Sequence, residues 1–131
     1  MGACYYVILK VKVRDEQCAI TALNRLIKKD INTNYSLNRY AEQGIKTEKY
    51  DDLMRIFLAS WKGQEMKIRD VDDCYKTYEN SFNASYGWEI VMIEAFEILS
   101  SYLDDGSELL IYPDQGYDKM VVKNGKCVQV H

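Results

Sequence analysis

Residues 5–14 read YYVILKVKVR, and this stretch decides the fold. Tyr5, Val7, Leu9, Val11 and Val13 fall on one side of an extended chain, with Tyr6, Ile8, Lys10, Lys12 and Arg14 on the other. A period of two marks a strand with one face on a core. The pattern then changes. Asp15 offers an N-cap carboxylate, and Glu16 puts negative charge in a first turn, where the helix dipole favours it. Ala19, Ala22, Leu23, Leu26 and Ile27 recur at helical spacing, and Lys28 and Lys29 complement the C-terminal end. The spacing predicts a strand over 5–14 and an amphipathic helix over 16–29.

The far end of the chain is as readable. Residues 86–103 have helical periodicity, and Asp104-Asp105-Gly106 ends them, with Gly106 as the C-cap and the two acids facing solvent. ELLIY at 108–112 runs into the turn Pro113-Asp114-Gln115-Gly116. A strand over 117–123 then meets Asn124-Gly125, the pair that suits a type I′ hairpin because both of its central residues need positive φ. Residues 126–130 form the last strand.

The middle is less regular. Residues 30–46 read as an irregular polar surface segment. Thr47 caps a second helix with apolar positions at Leu53, Ile56, Phe57, Ser60 and Trp61, ending at Lys62-Gly63. Residues 64–85 hold one or two strands around an acidic turn at Asp70, Asp72 and Asp73. The predicted class is α+β: a mainly antiparallel sheet, two or three helices packed on one face, and a C-terminal three-stranded meander.

With 131 residues and no linker-like run, residues 1–131 read as a single α+β domain with enough chain to bury a core. Eleven Tyr, three Phe and two Trp exclude a disordered composition. The apolar centre near the N-terminus lacks a preceding basic region, and Lys10, Lys12 and Arg14 interrupt it, so no signal peptide is expected. Tyr6 stands where a myristoylation motif wants Ser or Thr. No stretch reaches the ~18 apolar residues of a membrane span. These features predict a cytoplasmic chain, and the Tyr, Asn, Ile and Lys content fits an AT-rich bacterial or phage genome.

Composition also bounds the chemistry. The only histidine is the final residue, His131, which disfavours Ser-His-Asp and Cys-His catalysis. Cys4, Cys18, Cys74 and Cys127 are too dispersed for a C-x-x-C motif, and most read as core-filling thiols. No phosphate-binding, dinucleotide or zinc-protease motif is present. Asp70, Asp72 and Asp73 could meet a hard cation, but a solvated turn explains them as well. The expectation is a chain with no metal, no cofactor and no enzymatic activity.

Charge is distributed unevenly. Through Arg69 there are 13 Lys/Arg and 8 Asp/Glu, a net of +5; from Asp70 onward there are 4 and 12, a net of −8. Between Lys76 and Lys119 lie nine acids and no base. On a helical wheel for 86–103 with Glu89 at 0°, Ile93 falls near ~40° and Ile90 near ~100°, among Glu97 and Glu94. Trp88, Met92, Phe96 and Leu99 lie on the opposite side, so two isoleucines sit among carboxylates. Either residues 30–70 fold over them, or Glu89, Ile90, Ile93, Glu94 and Glu97 form a partner-binding surface.

The leading expectation is a small cytosolic interaction module that binds a protein partner or a second copy of itself. One alternative is an acidic nucleic-acid mimic acting on a nucleic-acid-processing protein. Another is a small-molecule-binding or enzymatic domain with a Tyr-lined pocket between sheet and helices. Direct nucleic-acid binding fits poorly with a pI near 5.2.

Overall fold

The computed structural model describes residues 2–29, 44, 46–57, 67–72, 75–85 and 87–130. The order of elements is β1 (Gly2–Val11), α1 (Glu16–Lys29), α2 (Tyr50–Phe57), β2 (Lys67–Asp72), β3 (Tyr75–Ser85), α3 (Trp88–Leu99), a 3₁₀ turn (Ser100–Tyr102), β4 (Glu108–Tyr112), β5 (Asp118–Lys123) and β6 (Lys126–Val130). The strands make one sheet in the order β2-β3-β1-β4-β5-β6, and every described pairing is antiparallel. The fold is α+β, with α1, α2 and α3 packed on one face and β4-β5-β6 forming the C-terminal meander.

The alternation in the opening strand sorts its side chains as expected. Tyr5, Val7, Leu9 and Val11 are at most 3% exposed, and join Leu23, Leu53, Phe57, Phe96, Leu109 and Val122 in one core. Tyr6, Ile8 and Lys10 point the other way and are only half-buried. The regular strand ends at Val11, short of the predicted Arg14, although Val13 still forms an isolated bridge with Leu103. Hydrogen bonds from Arg14 N to Tyr102 O (2.8 Å) and Asp104 N to Lys12 O (2.9 Å) hold this extension.

Asp15 caps α1 as its chemistry suggests: Oδ1 accepts the Cys18 N–H at 3.0 Å. This geometry corrects the reading of the cysteines. Cys18 faces outward in the first turn and Cys4 lies on the uncovered side of β1, so both are exposed; Cys127 is half-buried against the core. Position within an apolar stretch was a poor guide because alternate residues go to opposite faces. Cys74 lies outside the described residues, as do 30–43, 58–66 and 73.

Helix α3 is shorter than the 86–103 periodicity implies. Gly87, at φ 87, precedes it, and after Leu99 the chain tightens into the 3₁₀ turn. Buried Ser100 donates its hydroxyl to Phe96 O at 2.8 Å. Leu103 is fully buried, but its backbone is extended because it pairs with Val13. The periodicity foretold its burial and not its conformation.

The acids that follow are partnered rather than merely solvated. Asp104 meets Lys12 at 3.5 Å and Arg14 at 3.3 Å. Asp105 accepts the Asn124 N–H at 2.9 Å through Oδ1 and the Tyr75 hydroxyl through its backbone oxygen. Gly106, at φ 91, lies several residues beyond α3 and belongs to the turn into β4. Asn124 (φ 53) and Gly125 (φ 73) form the expected type I′ hairpin between Lys123 and Lys126.

In the middle, α2 begins at Tyr50 rather than just after Thr47, and Asp52 reaches back to accept the Lys46 N–H at 3.0 Å. Asp70 and Asp72 belong to β2 instead of a turn, in register with Thr77 and Tyr75. Among the described residues no group of three or more His, Cys, Asp or Glu is arranged to hold a metal ion.

Candidate functional site: the uncovered sheet face

An antiparallel sheet covered on one side commonly turns a polar face to water. This one does so only in part. The register brings Ile8 opposite Leu110, and Val121 opposite Val128. Leu110 and Val121 are diagonal neighbours across β4 and β5, within reach for long side chains. These four residues form an apolar diagonal across four strands. Val130, paired with Lys119, widens it on β6.

An aromatic row borders the diagonal. Tyr6 stacks on Tyr112 with centroids 5.9 Å apart, and Tyr112 meets Tyr117 at 6.1 Å. Among the described residues the large hydrophobics that stand out as exposed are Ile90 (66%), Tyr117 (56%), Tyr112 (39%) and Val128 (39%). Three of these four belong to the uncovered face, so exposed apolar surface is concentrated there.

The charges on this face have both signs, and the Glu108–Lys119 pair crosses the diagonal between Leu110 and Val121. Glu79 lies opposite Ile8, Lys10 opposite Glu108, and Lys119 reaches Glu108 at 3.9 Å. At the lower corner the Lys10 and Lys12 ammonium groups stand 5.3 Å and 5.8 Å from the Tyr75 ring centre. Lys123 and Lys126 are exposed at the hairpin. In the sheet itself, strands from the basic first half and the acidic second half interleave, so Lys10 stands opposite Glu108.

The five residues singled out on the helix are not one patch. Glu89 accepts the Tyr5 hydroxyl at 2.6 Å, behind the sheet. Burial first, then this carboxylate, pushes the Tyr5 pKa up to about 12. Ile93 is half-buried and packs on the core. Glu94 and Glu97 are exposed around the largely exposed Ile90. The Trp88 indole N–H also donates to Phe57 O at 3.1 Å, tying the start of α3 to the end of α2.

Sequence reasoning missed the uncovered face, although its signal was present. Tyr6 and Ile8 occupy the polar side of the first strand, and ELLIY and KCVQV have apolar residues on both sides. No helix of the described residues is long and apolar enough to cross a membrane. No family model, curated protein or solved structure matches the chain, so its own residues carry the functional reading.

Proposed function

We propose that this chain is a non-catalytic interaction module that self-associates through the uncovered face of its sheet. The observation that carries this is the apolar diagonal Ile8–Leu110–Val121–Val128, bordered by the Tyr6–Tyr112–Tyr117 row. A second copy suits the face because a two-fold interface must complement itself. Lys10 and Glu79 supply both signs at the edge of the diagonal, while Glu108 and Lys119 pair with each other across its middle, so facing copies can set opposite charges against one another. Sheet-on-sheet packing is a standard way to bury such a face.

Strand spacings of ~4.8 Å over five strands, and about three rows of alternating residues, give roughly 500 Å² per copy. The pair would bury about 1,000 Å², at the low end for a specific interface. The dimer should therefore be weak, with Kd in the micromolar range. The outer face of α3 has only one strongly exposed apolar side chain, Ile90, worth about 2 kcal/mol before association costs. It fits an accessory contact better than a principal one.

Sedimentation across a concentration series tests the proposal. The wild-type chain should pass from monomer to dimer, and Leu110→Lys with Val121→Lys should stay monomeric with its cooperative thermal transition retained. A wild-type chain that remains monomeric well above micromolar concentration, or a variant that dimerises equally well, would overturn it.

A further inference from the structure

Among the described residues the sheet ends in two edge strands, β2 and β6, and their sequences differ. Edge β2 (KIRDVD) has charged residues at Lys67, Arg69, Asp70 and Asp72, and its register with β3 shifts between Ile68 and Asp70. Charge and broken register are common protections against edge-to-edge pairing. Edge β6 (KCVQV) keeps an unbroken register with β5, and its single charge, Lys126, stands beside the turn.

The hydrogen bonds of β5 fix which way the backbone of β6 points. Val122 N donates to Ser107 O at 2.9 Å, and Gly106 N donates to Val122 O at 3.2 Å, so the backbone groups of Val122 face away from β6. These groups alternate sides along an antiparallel strand, so those of Val121 and Lys123 face β6. The type I′ turn agrees, since it makes Lys123 and Lys126 a hydrogen-bonded pair. Lys126, Val128 and Val130 therefore bond inward to β5. The N–H and C=O of Cys127 and Gln129 point out of the rim, where no strand among the described residues pairs with them. Val128, 39% exposed, lies at the outer end of the apolar diagonal.

We propose that β6 pairs antiparallel with β6 of a second copy about a two-fold axis at Val128. Cys127 then stands opposite Gln129 of the second copy, and the two exchange both backbone hydrogen bonds; the symmetry repeats this for the other pair. Val128 meets Val128 of the second copy in a non-hydrogen-bonded pair, where cross-strand side chains come closest. The two apolar diagonals join into one. Lys126 falls opposite Val130, so no like charges are directly opposed. Moving the axis to Cys127 would set Gln129 against Gly125 of the turn and lose this match.

This contact is separate from face pairing, because it uses the rim of the sheet and leaves the uncovered face open. An edge of five residues, ~17 Å long and ~10 Å deep, buries less than ~200 Å² per copy. Specific interfaces bury ~1,200–2,000 Å² in total, so the edge is the weaker contact and joins copies above the concentrations at which faces pair.

Residue-resolved amide exchange on the full chain, from micromolar to millimolar concentration, tests this alongside sedimentation. The Cys127 and Gln129 amides should slow at least about twofold at the top of the range, as for a contact that becomes half occupied. The Lys126, Val128 and Val130 amides, already bonded to β5, should change less. Face packing makes no backbone hydrogen bonds and does not produce this pattern. Gln129→Pro removes one outward N–H, a substitution that edge strands tolerate. It should keep the thermal transition and the face dimer but lose every larger species. The proposal fails if the Cys127 and Gln129 amides exchange at one rate throughout, or if Gln129→Pro assembles as the wild type does. If the only assembly is a dimer that Gln129→Pro abolishes and the Leu110→Lys, Val121→Lys variant retains, the edge contact stands and the face reading falls.

Discussion

Tyr5 and Tyr6 are neighbours in one strand and belong to two different environments. Tyr5 is 1% exposed, under the helices, with its hydroxyl held by Glu89 at 2.6 Å. Tyr6 is half-buried on the uncovered side and stacks on Tyr112. The same division runs across the sheet: Leu9 and Leu109 face the core, while Ile8 and Leu110 face away from it. Apolar residues occur on both sides, but the helix-covered side is almost wholly apolar while the other mixes them with Lys10, Glu79, Glu108 and Lys119. One face is a filled core, and the other is a mixed apolar and charged surface whose neighbours, among the described residues, are cross-strand.

The sharpest test compares adjacent residues. Leu9→Ala should cost about 2–5 kcal/mol, because it removes a side chain enclosed on every side and leaves a cavity. Ile8→Ala should cost about 1 kcal/mol or less in the monomer, the scale of a strand-surface substitution. Urea titrations of both variants at low concentration measure the gap. Equal losses would mean that the two faces are equally covered.

The next comparison moves to α3. Ile93→Asp puts a charge against the core and should cost about 2–3 kcal/mol, whereas Ile90→Asp should stay within about 0.5 kcal/mol. Thermal melts of each single variant separate them. A large loss from Ile90→Asp would show that its outward face is covered within the monomer.

The hydroxyl of Tyr5 gives the buried face a pH signature. Its folded pKa lies above the ordinary value of 10, at about 12, so the unfolded chain loses this proton first. The stability it contributes is whole below about pH 10 and is lost as the pH rises through about 12. Tyr5→Phe should cost about 1.5–3 kcal/mol at neutral pH, the value of a hydrogen bond to a charged group. It should also flatten the alkaline fall in melting temperature, and an unchanged fall would exclude Tyr5 as its source.

The smallest expected effect is at the hairpin edge. Gly125 sits at φ 73, and Gly125→Ala should cost about 1 kcal/mol through backbone strain, without disturbing the covered core. Amide exchange should quicken in β5 and β6 and leave β1 and β3 as they were. Exchange that quickens throughout the sheet would show that the meander is not a separable edge.

Much of this was legible in local residue order. Asp15 capped the helix it was expected to cap, Asn124-Gly125 made its turn, and the first strand divided its side chains correctly. The site was less legible. Glu89, Ile90, Ile93, Glu94 and Glu97 are neighbours on a wheel, yet Glu89 binds Tyr5 and Ile93 joins the core. A helical wheel assumes one buried side, whereas α3 contacts the sheet beneath it and helices beside it, so its buried arc is wider.

Periodicity and turn chemistry by themselves determined the class, the first strand and its helix, and the C-terminal meander. Those signals act between residues a few positions apart, which the order of the chain already contains. The middle, read as one or two strands around an acidic turn, holds two strands with Asp70 and Asp72 inside β2. Only the tertiary structure decided that Ile8, Leu110, Val121 and Val128 form one band, since they come from four strands and meet through register. It alone brought Asp51 at the start of α2 to the Tyr78 hydroxyl of β3, which it meets at 3.1 Å. Non-local contacts of this kind depend on which faces the helices leave uncovered, and no single segment carries that information.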